Sequence, residues 1–300
     1  MIKNFKSITA ATLALICVGF TSCSDDNDEP SPDVNTGKAN PTTVFTQGVP
    51  TTVGDLVITK NADGLVTKIV DDEDVYTFDY TGAKANASAK AKSRATRPTD
   101  YDMTMNVEWG DDEDGVDLFI KLNAQGYIEY AYEEDESEYD GLQVDEWWFK
   151  YNAAGQLIEM KRTEGDNEVT TITYNADGDI TKVSVKDDED GNKMETTISY
   201  TDATHKNTIV NKSGIMLYDD SFRIDMDEMA PAYFAGLLGK GTKHLPLSAV
   251  EKDLRPGNEQ YVTNYSFAWE FNASDMPIKF TSSYTESWGT YTDDPIIFKW

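Results

Sequence analysis

The chain reads as all-β: an antiparallel up-and-down meander of about 15 strands, barrel-like, with one inserted helix at about 226–238. Three features of its 300 residues predict this: a recurring Asn-Ala-x-Gly turn, apolar/polar alternation around each turn, and short acidic runs between the turns. The turn stands at Asn61-Ala62-Asp63-Gly64, Asn123-Ala124-Gln125-Gly126, Asn152-Ala153-Ala154-Gly155 and Asn175-Ala176-Asp177-Gly178, with a weaker copy at Asn272-Ala273-Ser274-Asp275. In such a turn Asn bonds the backbone two residues on, two residues take right-handed helical angles, and Gly supplies the positive φ that closes a type I turn with a bulge. Alternating residues before each copy make a strand, so each unit is a β-hairpin. About fifteen strands are too many for one flat sheet, so the sheet must curl into a barrel or split.

The first residues read as an export signal. Lys3 and Lys6 precede an apolar stretch from Ile8 to Phe20, too short for a spanning helix, which ends in Phe20-Thr21-Ser22-Cys23. Small residues before a cysteine resemble a bacterial lipoprotein signal, with 1–22 removed and lipid carried on Cys23. The acidic run Ser24-Asp25-Asp26-Asn27-Asp28-Glu29 resembles a surface-export signal of Bacteroidetes lipoproteins, and 23–50 has the Pro, Ser and Thr content of a tether. The expected location is the outer membrane, lipid-anchored and exposed at the cell surface.

A single barrel-like domain is expected over 51–300. In its strands Val116, Leu118, Ile120 and Leu122 oppose Asp117 and Lys121, and Tyr265, Phe267, Trp269 and Phe271 oppose Asn264, Ser266 and Glu270. A soluble barrel would turn the apolar face inward and a membrane barrel outward. Trp300, with Phe298 two before it, resembles the end of outer-membrane barrels. Yet Leu157, Glu159 and Lys161 share one face and Ile158, Met160 and Arg162 the other. A charge facing lipid mid-strand costs about 2–4 kcal/mol, which favours the soluble form. Acidic loops at 71–74, 111–115, 133–140, 164–168 and 187–191 alternate with the Asn turns. In a meander the two classes of loop then lie at opposite ends. An insertion is expected at 219–258, where Met226, Met229, Tyr233, Phe234, Leu237 and Leu238 fall at helical spacing. That helix would fill or cover the interior, because a wide barrel does not fill itself.

The charge of −28, from 26 Lys and Arg against 54 Asp and Glu, repels nucleic acid. Two cysteines exclude a disulfide scaffold, and two histidines leave little for histidine catalysis. The acidic loops invite a calcium reading, but with Gly191 or Gly115 at the sixth position neither fits an EF-hand. Asp111, Asp112, Asp114, Asp187, Asp188 and Asp190 remain as weak cation candidates. No phosphate loop, dinucleotide motif or nucleophile elbow is present. His205 and His244 are read as turn and loop residues. Trp147 shares a face with Phe149 and Tyr151 and belongs to the core. Trp148 points to the wet face and is the candidate sugar-stacking platform.

The lipoprotein start, the acidic tether, the Tyr-Asn-Ala-x-Gly hairpins, and Tyr233-Phe234-Ala235-Gly236-Leu237-Leu238-Gly239-Lys240 with Leu245-Pro246 together resemble a Bacteroidetes lipoprotein domain of unknown function described as porin-like in fold. The resemblance covers about 51–300 and implies an antiparallel barrel without an established activity. The hairpins alone are also similar to the YD repeats of secreted shell proteins. The expected function is non-catalytic binding of a ligand, with a glycan as candidate and no cofactor. The alternative is an accessory lipoprotein that docks an outer-membrane partner through its acidic end; a carboxylate-based hydrolase ranks third.

Overall fold

A computed structural model describes residues 39–84, 98, 100–110, 115–137, 141–163, 167–188, 191–258 and 260–300; for 83–84, 134–137 and 141–143 it describes the backbone alone. The export signal 1–22, Cys23 and most of the tether lie outside the described residues. The first eight wall strands are β1 (Thr52–Val53), β2 (Leu56–Lys60), β3 (Val66–Asp71), β4 (Asp74–Asp79), β5 (Met103–Glu108), β6 (Gly115–Leu122), β7 (Ile128–Ser137) and β8 (Gly141–Tyr151). The other eight are β9 (Leu157–Arg162), β10 (Glu168–Tyr174), β11 (Ile180–Asp187), β12 (Gly191–Ser199), β13 (Ser248–Asp253), β14 (Val262–Phe271), β15 (Pro277–Glu286) and β16, in two pieces, Gly289–Thr292 and Ile296–Lys299. Each pairs antiparallel with its neighbours in chain order. The sheet closes where Thr52 and Val53 pair with Lys299 and Phe298, giving a closed barrel of 16 strands.

The turns behave as their residues dictate. Asn61 Oδ1 accepts from the N–H groups of Asp63 and Leu65, both at 3.0 Å, and Asn123, Asn152, Asn175 and Asn272 repeat the pattern. The fourth residue has positive φ in every copy; Asp275 does so without being glycine, at 59°. Because the strands follow one another around the ring, the Asn turns share one end and the acidic connections the other.

The apolar face points inward. Ile69, Met103, Met105, Leu118, Ile120 and Trp147 are fully buried. The outer face carries ion pairs between adjacent strands: Lys150–Glu159 at 2.7 Å, Lys182–Glu195 at 3.3 Å and Lys279–Glu270 at 2.9 Å. Charges at these positions suit water and not hydrocarbon.

A barrel of this strand number leaves an open channel unless something fills it. Here most of the chain between β12 and β13 fills it as a plug, residues 213–247, while 201–212 run largely exposed before it. Ile215, Met216, Phe222, Ile224, Met229, Leu237 and Leu238 are all buried within it. The plug differs from the expected insertion in three ways. It begins before 219, since Ser213, Ile215 and Met216 are already buried. It ends earlier than 258, because Ser248–Asp253 pairs with β12 and β14 as wall. And the helix expected at about 226–238 is a 3-10 helix, Asp227–Tyr233, preceded by a short α-helix, α1 (Tyr218–Phe222). Pro231 has no N–H to give an α-helical bond, and the left-handed backbone at Arg223 and Asp227 interrupts the winding. The apolar spacing remains, since a segment surrounded by wall buries every side.

The described end of the expected tether, 39–50, is packed. Pro41–Thr43 forms a 3-10 turn, and Phe45 is buried with its ring 5.4 Å from Tyr233 and 6.3 Å from Phe234.

Candidate functional site

The plug is held at both ends of the barrel. At the Asn-turn end, Leu237 C=O accepts from Ile128 N–H at 2.8 Å, and Lys240 N–H donates to Gly155 C=O at 2.8 Å. Gly239 (φ +83°) lies so near the Asn152 turn that a Cβ would stand 2.6 Å from Gly155 O and 2.8 Å from the Tyr151 ring. Only glycine fits there, which gives the Gly-Leu-Leu-Gly-Lys segment its physical meaning. Beside it, the buried Asp179 carboxylate accepts from His244 N–H at 2.8 Å and meets His244 Nδ1 at 2.7 Å. His244 is therefore a latch residue on the chain leaving the plug. His205 pairs with Asp202 in an exposed turn.

At the acidic end two arginines cross the gap in opposite directions. Arg162 reaches inward from β9 to Asp225 at 3.0 Å, Asp227 at 3.4 Å and Glu168 at 3.4 Å. Arg223 reaches outward from the plug to Glu251 at 3.4 Å and lies over the Tyr265 ring. Burial disfavours both guanidinium charges, but the surrounding acids more than offset it, and both pKa values are held above the ordinary value. Glu228 follows Asp227 in the plug. Burial, reinforced by the charges of Asp227 and Glu133, pushes its carboxyl up to about 7. Asp145 on β8 is also raised, by burial and by Asp227.

Between the plug and β1–β4 a cavity of about 410 Å³ opens at this end. Its floor is apolar, with Met216, Ile224, Met226 and Phe234, and Asp55, Asp71, Asp219, Asp220 and Asp227 also line it. Burial raises Asp71, with help from Asp55, Asp74 and Asp72, and it raises Asp220, with help from Asp219. Nothing in the local sequence marks these residues as neighbours, because barrel closure brings Asp55 to the plug.

The outer wall carries a second candidate. Trp148 points outward, 36 % exposed, against Tyr130 (ring centroids 5.7 Å). Tyr130 belongs to an outer aromatic cluster with Tyr132, Phe119 and Tyr101, so the Trp148 ring rests on packed aromatic side chains. Beside it runs an open groove of about 670 Å³ whose lining includes Lys150, Glu159, Lys161, Thr163 and Asn167. Trp147, as expected, is fully buried. The most exposed tryptophan is Trp288, at 65 %, on the β15–β16 hairpin. Its Trp-Gly tip position was a readable signal of exposure that strand alternation does not capture.

Of the cation candidates, Asp111, Asp112, Asp114 and Asp190 lie outside the described residues. Asp187 is buried and Asp188 exposed at the end of the Trp148 groove. Among the described residues no three potential metal ligands come together.

A family model described as "Domain of unknown function (DUF4595) with porin-like fold" matches residues 89–279. A solved porin-like protein from Bacteroides uniformis is similar over 81% of this chain and 88% of its own, at 15% identity and a TM-score of 0.53. Another from Bacteroides vulgatus is similar over 83% and 97%, at 11% identity and a TM-score of 0.48. The first likeness bears on the fold alone. No curated protein matches the chain.

Proposed function

The chain belongs to this family of domains with a porin-like fold, and from that premise we propose that it is a lipid-anchored envelope protein that binds a glycan on its outer wall and catalyses nothing. The observation that carries the reading is Trp148: an aromatic face fixed by Tyr130, open to water, beside a groove lined with charged, hydroxyl and carboxamide groups. A sugar offers an apolar C–H face to the ring and hydroxyls to those groups, the balance that ligand clefts show. Anchoring is supported by Lys3, Lys6 and Thr21-Ser22-Cys23. A plugged lumen supports a binding role over conduction.

A broad glycan panel probed with the full chain tests the site. Binding should be lost in Trp148→Ala and kept in Trp288→Ala; an empty panel, or equal binding by both variants, overturns the reading. Labelled palmitate should enter the wild type and not Cys23→Ala. A second reading, docking of an outer-membrane partner, is favoured by the carboxylates gathered at one end. It expects crosslinking to one partner that high salt abolishes.

A further inference from the structure

The cavity at the acidic end goes beyond the glycan reading and is independent of it. We propose that it binds a small organic cation with an apolar body, of the alkylammonium or arylalkylammonium class. The space, about 410 Å³, lies in the range of small-molecule sites. Every charged residue that lines it is an aspartate. Asp219 is matched by Arg223 at 3.4 Å, and Asp227 by Arg162 at 3.4 Å. Asp55, Asp71 and Asp220 have no ion pair among the described residues. Burial raises Asp71 and Asp220 above the usual carboxylate range; neighbouring aspartates add to both, and Arg223 offsets the rise at Asp220 only in part.

Beneath these acids the floor is apolar: Met216, Leu217, Ile224, Met226 and Phe234 are buried side chains. An ammonium group would supply the missing counter-charge while its hydrocarbon covers that floor. An anion would meet five lining aspartates and no lining cation. A bare metal ion finds no set of three close ligands among the described residues. One wall of the site is plug and the other is barrel, so the ligand would also bridge the two.

The test is methyl NMR of the full chain with labelled Met and Ile, titrated with three probes of one shape: phenethylammonium, 2-phenylethanol and phenylacetate. The ammonium should shift Met216, Met226, Ile224 and Ile296, and leave Ile180 and Met276, near the Asn turns, unmoved. The alcohol should bind about tenfold more weakly or worse, as loss of a charge-assisted contact implies, and the acid weaker still. Asp220→Asn and Asp71→Asn should each narrow the gap between ammonium and alcohol, with Ile180 and Met276 reporting an intact fold. Trp148→Ala should change nothing. Equal binding of ammonium and alcohol overturns the proposal. So do shifts outside the cavity, or saturation by a lysine-bearing peptide where phenethylammonium fails.

Discussion

Arg162→Met asks whether the plug is clamped by charge. The replacement keeps most of the side chain's volume and removes the guanidinium that faces Glu168, Asp225 and Asp227. Breaking a buried ion pair from one side costs about 3–5 kcal/mol, because the partner is left desolvated. Two features lower that figure here. Asp225 is 66 % exposed and adds little. Glu168 keeps a second cation, Lys193, at 3.1 Å. The loss then falls mainly on Asp227, and the expected destabilisation is roughly 2–3 kcal/mol, or about 5–10 °C in Tm for a domain of this size. Urea unfolding reads it as a lower midpoint at unchanged slope. Adding Asp227→Asn should cost little more than Arg162→Met alone, since the left-handed backbone there tolerates Asn. A loss under about 0.5 kcal/mol, or simple additivity of the two changes, would refute the clamp.

Three further outcomes follow from the same geometry. Glu228 has its pKa raised from 4.5 to about 7, so the folded state holds its proton more tightly than the unfolded chain; stability from this group is present in full below 4.5, falls as pH rises toward 7, and levels off beyond. Glu228→Gln should flatten that part of a Tm-against-pH profile, and an unchanged profile would remove Glu228 from the account. Gly236→Ala places a Cβ 2.4 Å from Pro41 Cα at a φ of +77°, and should open 39–50 to limited proteolysis ahead of the barrel; unchanged cutting would mean the segment is not packed there. Asp179→Ala leaves His244 and its N–H unpaired in a buried place, and should cost roughly 2–3 kcal/mol by urea titration, with a loss near zero counting against the latch.

How much was readable depends on how far apart the cooperating residues stand. The Asn turns act within four residues, and their geometry came through whole, down to the backbone bonds of Asn61 and Asn152. Alternation along β6 and β8 likewise told inside from outside, so Trp147 and Trp148 face as their parity requires. Around the plug local signals misled. Met226, Met229 and Tyr233 carry helical spacing, yet Pro231 and the left-handed Arg223 and Asp227 hold that stretch to a 3-10 turn inside an apolar wall. Composition marked 39–50 as tether, while Phe45 finds Tyr233 almost two hundred positions away.

By itself, then, the sequence determined the hairpins, the two classes of loop and the apolar side of each strand, because turn angles and strand parity are set by neighbours along the chain. Only the tertiary structure decided the rest: that Thr52 meets Lys299 to close 16 strands, that the lumen so made is filled by 213–247, that Arg162 and Arg223 clamp it, and that Asp55, Asp71 and Asp220 share a cavity. Those contacts join residues whose proximity exists only once the ring is closed.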